Sequence, residues 1–176
     1  MTNAHRLRGL ATVAVLAVVL GAVLSGCAAQ EPSAAPTTNP SPSIRIPAPP
    51  KGLNAEGVAA WERWKEQGLT DYTYLLSVGC FCPALMGVPV TVKGSSVIDV
   101  DGKRYDADRS VIGFADTQPT IDGLFVELGQ ALEDADDVTV KYDKTTGVPS
   151  SIAIDWIKNA VDDEISYSAD NVKPVS

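Results

Sequence analysis

Twice along this chain of 176 residues an apolar period of three to four residues gives way to a period of two, and each switch predicts a helix followed by strands. Asn54 is suited to N-cap a helix through Gln67, Gly68 stands where a glycine ends one, and Val58, Trp61 and Trp64 fall at i, i+3 and i+6. Both indoles therefore share a face, read as core-facing rather than as a ligand-stacking platform. The next stretch, DYTYLLSVGCFC, alternates, so that Tyr72, Tyr74, Leu76, Val78, Cys80 and Cys82 mark one face of a strand. Val88 to Lys93 and Val97 to Val100 read as strands joined at Gly94-Ser95-Ser96, and Asp101-Gly102 turns a short strand back through Tyr105. Asp106 to Gln118 has no period and reads as a loop.

The second switch begins at Thr120, an N-cap for a helix with Ile121, Leu124, Phe125, Leu128 and Leu132 on one stripe. Val138, Val140 and Tyr142 alternate as a strand, Asp143 to Pro149 turns the chain, and Ile152, Ile154 and Trp156 form another. A last strand is expected around Ile165 to Ser168. Helix and meander, then helix and meander again, predicts an α+β fold: an antiparallel β-sheet with two helices packed on one face, each burying its apolar side against the other. An internal duplication would give the same order, but no residue-level repeat accompanies it.

Ahead of this unit the chain carries Arg6 and Arg8, an uncharged apolar run from Leu10 to Val23, then Leu24-Ser25-Gly26-Cys27. Fourteen apolar residues fall short of the roughly twenty a spanning helix needs, and the basic start is that of an export signal. Leu-Ser-Gly-Cys resembles the lipobox of bacterial lipoproteins, which implies that residues 1–26 are a signal peptide and that Cys27 is acylated, with palmitate among the acyl groups, as the new N-terminus. A non-cleaved anchor or an ordinary signal peptide would equally export the chain. The expected location is the extracytoplasmic face of the cell membrane, reached through lipid on Cys27. Residues 27–50 hold seven prolines among Ala, Ser and Thr, a composition that cannot offset its ordering entropy. They read as a disordered tether, or less simply as a proline-rich ligand, before a single domain over 51–176.

Removing Arg6 and Arg8 leaves twelve basic against twenty-two acidic side chains, a surface that repels nucleic acid. The sole histidine, His5, lies in the signal, so the processed chain lacks the commonest general base and metal ligand. No cofactor motif is present and no cofactor is expected.

Several short stretches together resemble a family of exported, often lipid-anchored bacterial domains of unknown function. They are Tyr72-Thr73-Tyr74, Cys80-Phe81-Cys82-Pro83, Thr120-Ile121-Asp122-Gly123-Leu124-Phe125, Tyr142-Asp143 with Gly147 and Pro149, and Ile152-Ala153-Ile154-Asp155 leading to Val161-Asp162-Asp163-Glu164. The resemblance covers about Trp61 to Tyr167 and implies no activity and no site residues.

Once Cys27 is acylated, Cys80 and Cys82 are the remaining thiols, in a compartment where disulfides persist. In an extended strand such residues have Cα atoms about 6.6 Å apart, near the upper limit for a bridge. A disulfide therefore needs a bend at Phe81, which Gly79 and Pro83 favour. Its three-residue ring yields only about 1.5 kcal/mol by loop entropy, which leaves room for a redox or sensing pair. Structural zinc wants four ligands, whereas copper(I) accepts few soft ones, and Met86 completes a Cys-x-Cys-x-x-x-Met spacing. The plainer reading of Met86 is packing.

Asp155, Asp162, Asp163 and Glu164 cluster near the C-terminal turn, and Asp99, Asp101, Asp106 and Asp108 flank the hairpin; neither set has EF-hand spacing. A solvated acidic surface is the expectation at both. The function expected is a non-enzymatic binding or interaction module of the cell envelope, with an envelope protein as possible partner. The alternative is a thiol-redox or copper(I)-handling protein using Cys80 and Cys82. A carboxylate hydrolase would need those acids to line one pocket. Intact-mass spectrometry of the membrane-extracted protein should find a chain beginning at lipid-modified Cys27, and Cys27→Ala should remove the lipid; an intact Met1 would overturn the export reading.

Overall fold

The computed structural model describes residues 46–105, 111, 113–114 and 117–175. The signal segment, Cys27 and the tether as far as Arg45 lie outside the described residues, as do Asp106 and Asp108. The described elements run α1 (Ala55–Glu66), β1 (Tyr72–Cys80), β2 (Leu85–Lys93), β3 (Ser96–Val100), β4 (Lys103–Arg104), α2 (Ile121–Asp134), β5 (Asp137–Tyr142), β6 (Pro149–Asp155) and β7 (Ile165–Pro174). The strands form one antiparallel sheet in the order β4-β3-β2-β1-β7-β6-β5. This is the α+β architecture that the repeated change of period predicts.

Alternation decides what the sheet buries. Tyr72, Tyr74, Leu76 and Val78 of β1, Val90 and Val92 of β2, Ile152 and Ile154 of β6 and Tyr167 and Ala169 of β7 are all buried. They share one core with Ala60, Trp61 and Trp64 of α1 and Ile121, Leu124, Phe125, Leu128 and Ala131 of α2. Trp61 meets Phe125 edge to face at 5.3 Å, and Trp64 meets Tyr72 in the same way, geometries that suit the ring quadrupoles. Both indoles are core residues.

Hydrogen bonds then fasten α2. Asn54 caps α1 by accepting the Gly57 N–H at 2.9 Å, and Thr120 caps α2 by accepting that of Gly123 at 2.8 Å. The Ile121 N–H donates to the Tyr72 hydroxyl at 3.0 Å, while the Tyr74 hydroxyl donates to the Pro119 carbonyl at 2.7 Å. One residue on, Asp122 accepts from Trp64 Nε1 at 2.6 Å and from Lys65 Nζ at 2.8 Å, joining the two helices. Burial raises the pKa of both phenols far above the usual tyrosine value, so they remain neutral hydrogen-bonding groups.

Element boundaries depart from the sequence reading at four places. β1 stops at Cys80 rather than Cys82, β2 begins at Leu85 rather than Val88, and Trp156 falls beyond β6. β7 runs to Pro174 because it pairs with β1 along its whole length, from Cys80 opposite Ile165 to Tyr72 opposite Pro174. The stretch read as a loop also enters the core. Phe114 is buried against Tyr167, whose hydroxyl donates to the Gly113 carbonyl at 2.8 Å. Within the stretch read as tether, the Pro47 carbonyl accepts a bond from Trp61 Nε1 at 3.1 Å. Lys51 crosses α2 where Gly129 leaves no Cβ to block its carbonyl.

Asp122→Ala strips a charged acceptor from Trp64 and Lys65 together and is expected to lower unfolding free energy by about 2 kcal/mol in urea titration. Asp122→Asn, which keeps an acceptor for the indole, should lose less.

Candidate functional site

At the Cys80 end of β1 the chain leaves the sheet through a bend over Phe81 to Pro83. The bend brings the Cys80 and Cys82 Cα atoms to 5.1 Å, within the range a disulfide spans, and their Sγ atoms into contact. Phe81, between them, is held out into solvent, 80% exposed. Met86 is not drawn in. It lies in the bulge opposite Ser77, about 10 Å along the strand from Cys80 at strand rise, and is itself exposed.

Beneath this bend, on the face of the sheet away from the helices, lies a cleft of about 400 Å³. Its floor is a row of small residues set by strand register: Gly79 opposite Ser166, and Ser166 opposite Ala153. A Cβ on Gly79 would come within 2.7 Å of the Ser166 hydroxyl, so the row is low because a side chain there has no room. Phe81 forms one wall, while the Ile165 side chain turns to the other face of the sheet, against Gly113.

The remaining walls are acidic. Asp137, Asp155, Asp162 and Glu164 all line the cleft, and Asp137 stands directly opposite Asp155 between β5 and β6. Like charges in that relation cost stability. Partial desolvation, then repulsion from Asp163, Glu164, Asp136 and Asp137, pushes the Asp155 carboxyl above its usual value. Asp136 and Asp163 have other duties, since their carboxylates accept the Lys158 and Ile157 backbone N–H groups, each at 2.6 Å. They hold the turn between β6 and β7.

The structure thus brings together Asp155, Asp162 and Glu164 of the acidic run, assigns Asp163 to the turn, and adds Asp137. Sequence reasoning missed Asp137 because only the β5–β6 register makes it a neighbour of Asp155. Asp99 and Asp101 lie far across the sheet, where Asp99 accepts the Gly102 N–H at 2.9 Å and shapes the β3–β4 turn. Among the described residues, no three His, Cys, Asp or Glu side chains converge closely enough to hold a metal ion, and no helix is long and apolar enough to cross a membrane.

A family model described as "Family of unknown function (DUF6174)" matches residues 56–174, from the first turn of α1 to the end of β7. No curated protein and no solved structure matches the chain.

Because the folded-state pKa of Asp155 is raised, the repulsion it suffers is present at neutral pH and relieved as pH falls through that pKa. Asp155→Asn is expected to raise the melting temperature at pH 7 and to flatten its dependence on pH between about 7 and 4. Scanning calorimetry across that range checks both.

Proposed function

The chain belongs to this family of unknown function, and from that premise we propose that it is a non-enzymatic binding module of the bacterial cell envelope, held to the membrane by lipid on Cys27. Its binding site is the cleft under the Cys80–Cys82 bend. The observation that supports this reading is Phe81, an aromatic ring kept in water on the wall of a cleft whose floor is stripped of large side chains. Exposed aromatic surface beside a concavity is typical of contact sites. With carboxylates opposite the ring, the suited ligand carries positive charge next to an apolar group. A disulfide between Cys80 and Cys82 would keep the ring there, through a short bridge whose role is local positioning rather than global stability.

A second reading, thiol–disulfide exchange at this pair, is favoured by one observation: Cys80 itself lines the cleft, within reach of a docked partner. Two free thiols in unfolded protein purified in air would remove the bridge from both readings.

Titration of the isotope-labelled protein with the peptide Lys-Leu-Lys is the test. Amide shifts confined to Gly79–Phe81, Ala153–Asp155 and Glu164–Ser166 are expected, weakened several-fold by Phe81→Ala or Glu164→Gln. Absence of any such shift at millimolar peptide would sink the cationic-ligand reading. Binding that persists in the Cys80→Ser, Cys82→Ser double variant would exclude thiol exchange as its basis.

A further inference from the structure

The two ends of the sheet differ. One closes with β4, only two residues long, whereas the other ends in β5, six residues long, one side of whose backbone pairs with no strand among the described residues. An open edge of that length is a template for another strand.

We propose that β5 pairs edge to edge with β5 of a second copy of this chain, around a two-fold axis at Thr139. The sequence Asp137-Val138-Thr139-Val140-Lys141 has the same polarity pattern read from either end, with the sign of the terminal charge reversed. Antiparallel self-pairing about Thr139 sets Asp137 opposite the partner's Lys141 and Val138 opposite the partner's Val140, each contact occurring twice by symmetry. Other registers that keep the faces aligned lose this match. A shift of one step toward the β5–β6 turn sets Asp137 opposite the partner's Asp143, a like charge, and a shift the other way sets Lys141 opposite the partner's Ala135.

The strand is also electrostatically incomplete within one copy. Asp137, Thr139 and Lys141 are exposed, and among the described residues the ion pair formed is Lys65 with Asp122, so Asp137 and Lys141 have no such partner. Asp137 instead faces Asp155 across β5 and β6. The partner's Lys141 would put the missing positive charge beside Asp137 on its other side. Half-buried Val138 and Val140 would meet their counterparts and lose their remaining exposure. Because Asp137 also lines the cleft, the contact brings the partner's Lys141 to that wall; the pairing itself does not depend on what the cleft binds.

Sedimentation equilibrium of the full chain in density-matched detergent tests this at about 0.15 M salt, where screening confines net-charge repulsion to about 8 Å. A reversible dimer is expected. Asp137→Lys and Lys141→Asp should each raise its dissociation constant roughly tenfold or more, since each reverses two contacts. The double variant, which restores opposite charges in the same register, should recover most of the loss. Circular dichroism confirms that each variant is folded. A monomer at all concentrations, a dimer indifferent to either single change, or a double variant no tighter than the singles would each overturn the proposal.

Discussion

The first turn of α2 is where this fold is tied. A helix start leaves backbone N–H groups without intrahelical acceptors, and here water cannot serve them because Thr120 and Ile121 are buried. The acceptors must come from the protein: Thr120 supplies one and the Tyr72 hydroxyl another. Tyr74, two residues along β1, secures the Pro119 carbonyl just before the helix. Since Tyr72 and Tyr74 belong to a central strand and Asp122 grips α1, strand, first helix and second helix meet at one point. That junction holds the two helices together on the same face of the sheet.

With one face so occupied, the other is free to carry chemistry. It does so at a cost. Asp137 and Asp155 are placed across from each other, with Asp162 and Glu164 nearby, although any of them could be neutral without harming the core. The same corner keeps Phe81 in water and depends on Gly79 having no side chain. Three unfavourable or restrictive choices in one place, next to a cleft, are what the proposed binding role would account for.

Much of the architecture was legible in the sequence because the core is built by periodicity. The Tyr72 to Val78 alternation, the Ile121 to Leu128 stripe and the caps at Asn54 and Thr120 all correspond to observed structure. What escaped reading was set by distant partners. Phe114 sits in an aperiodic stretch and is buried only because Tyr167 comes to meet it. The tail of β7 contains Asp170, Asn171 and Pro174, poor strand formers that are strand because β1 offers them a ladder. The candidate site divides in the same way. Cys80, Phe81 and the acidic run could be singled out by residue type, whereas the small-residue floor and Asp137 exist only as a consequence of register.

The apparent repetition of helix and meander also resolves in the topology. If the two halves were structural copies, β1 and β5, the first strands after each helix, would hold equivalent places, yet β1 is central and β5 is an edge. The first meander runs outward from the centre and dies in the short, basic β4, Lys103 and Arg104, whose length and charge discourage pairing. The second runs inward from the opposite edge and delivers β7 to the centre, where it pairs with β1. Inward growth has a consequence that outward growth does not: the strand left outside is the first of its meander, anchored directly behind α2 and kept at full length. The open edge and the acidic cleft are therefore neighbours by construction, since Asp137 opens β5 and also lines the cleft.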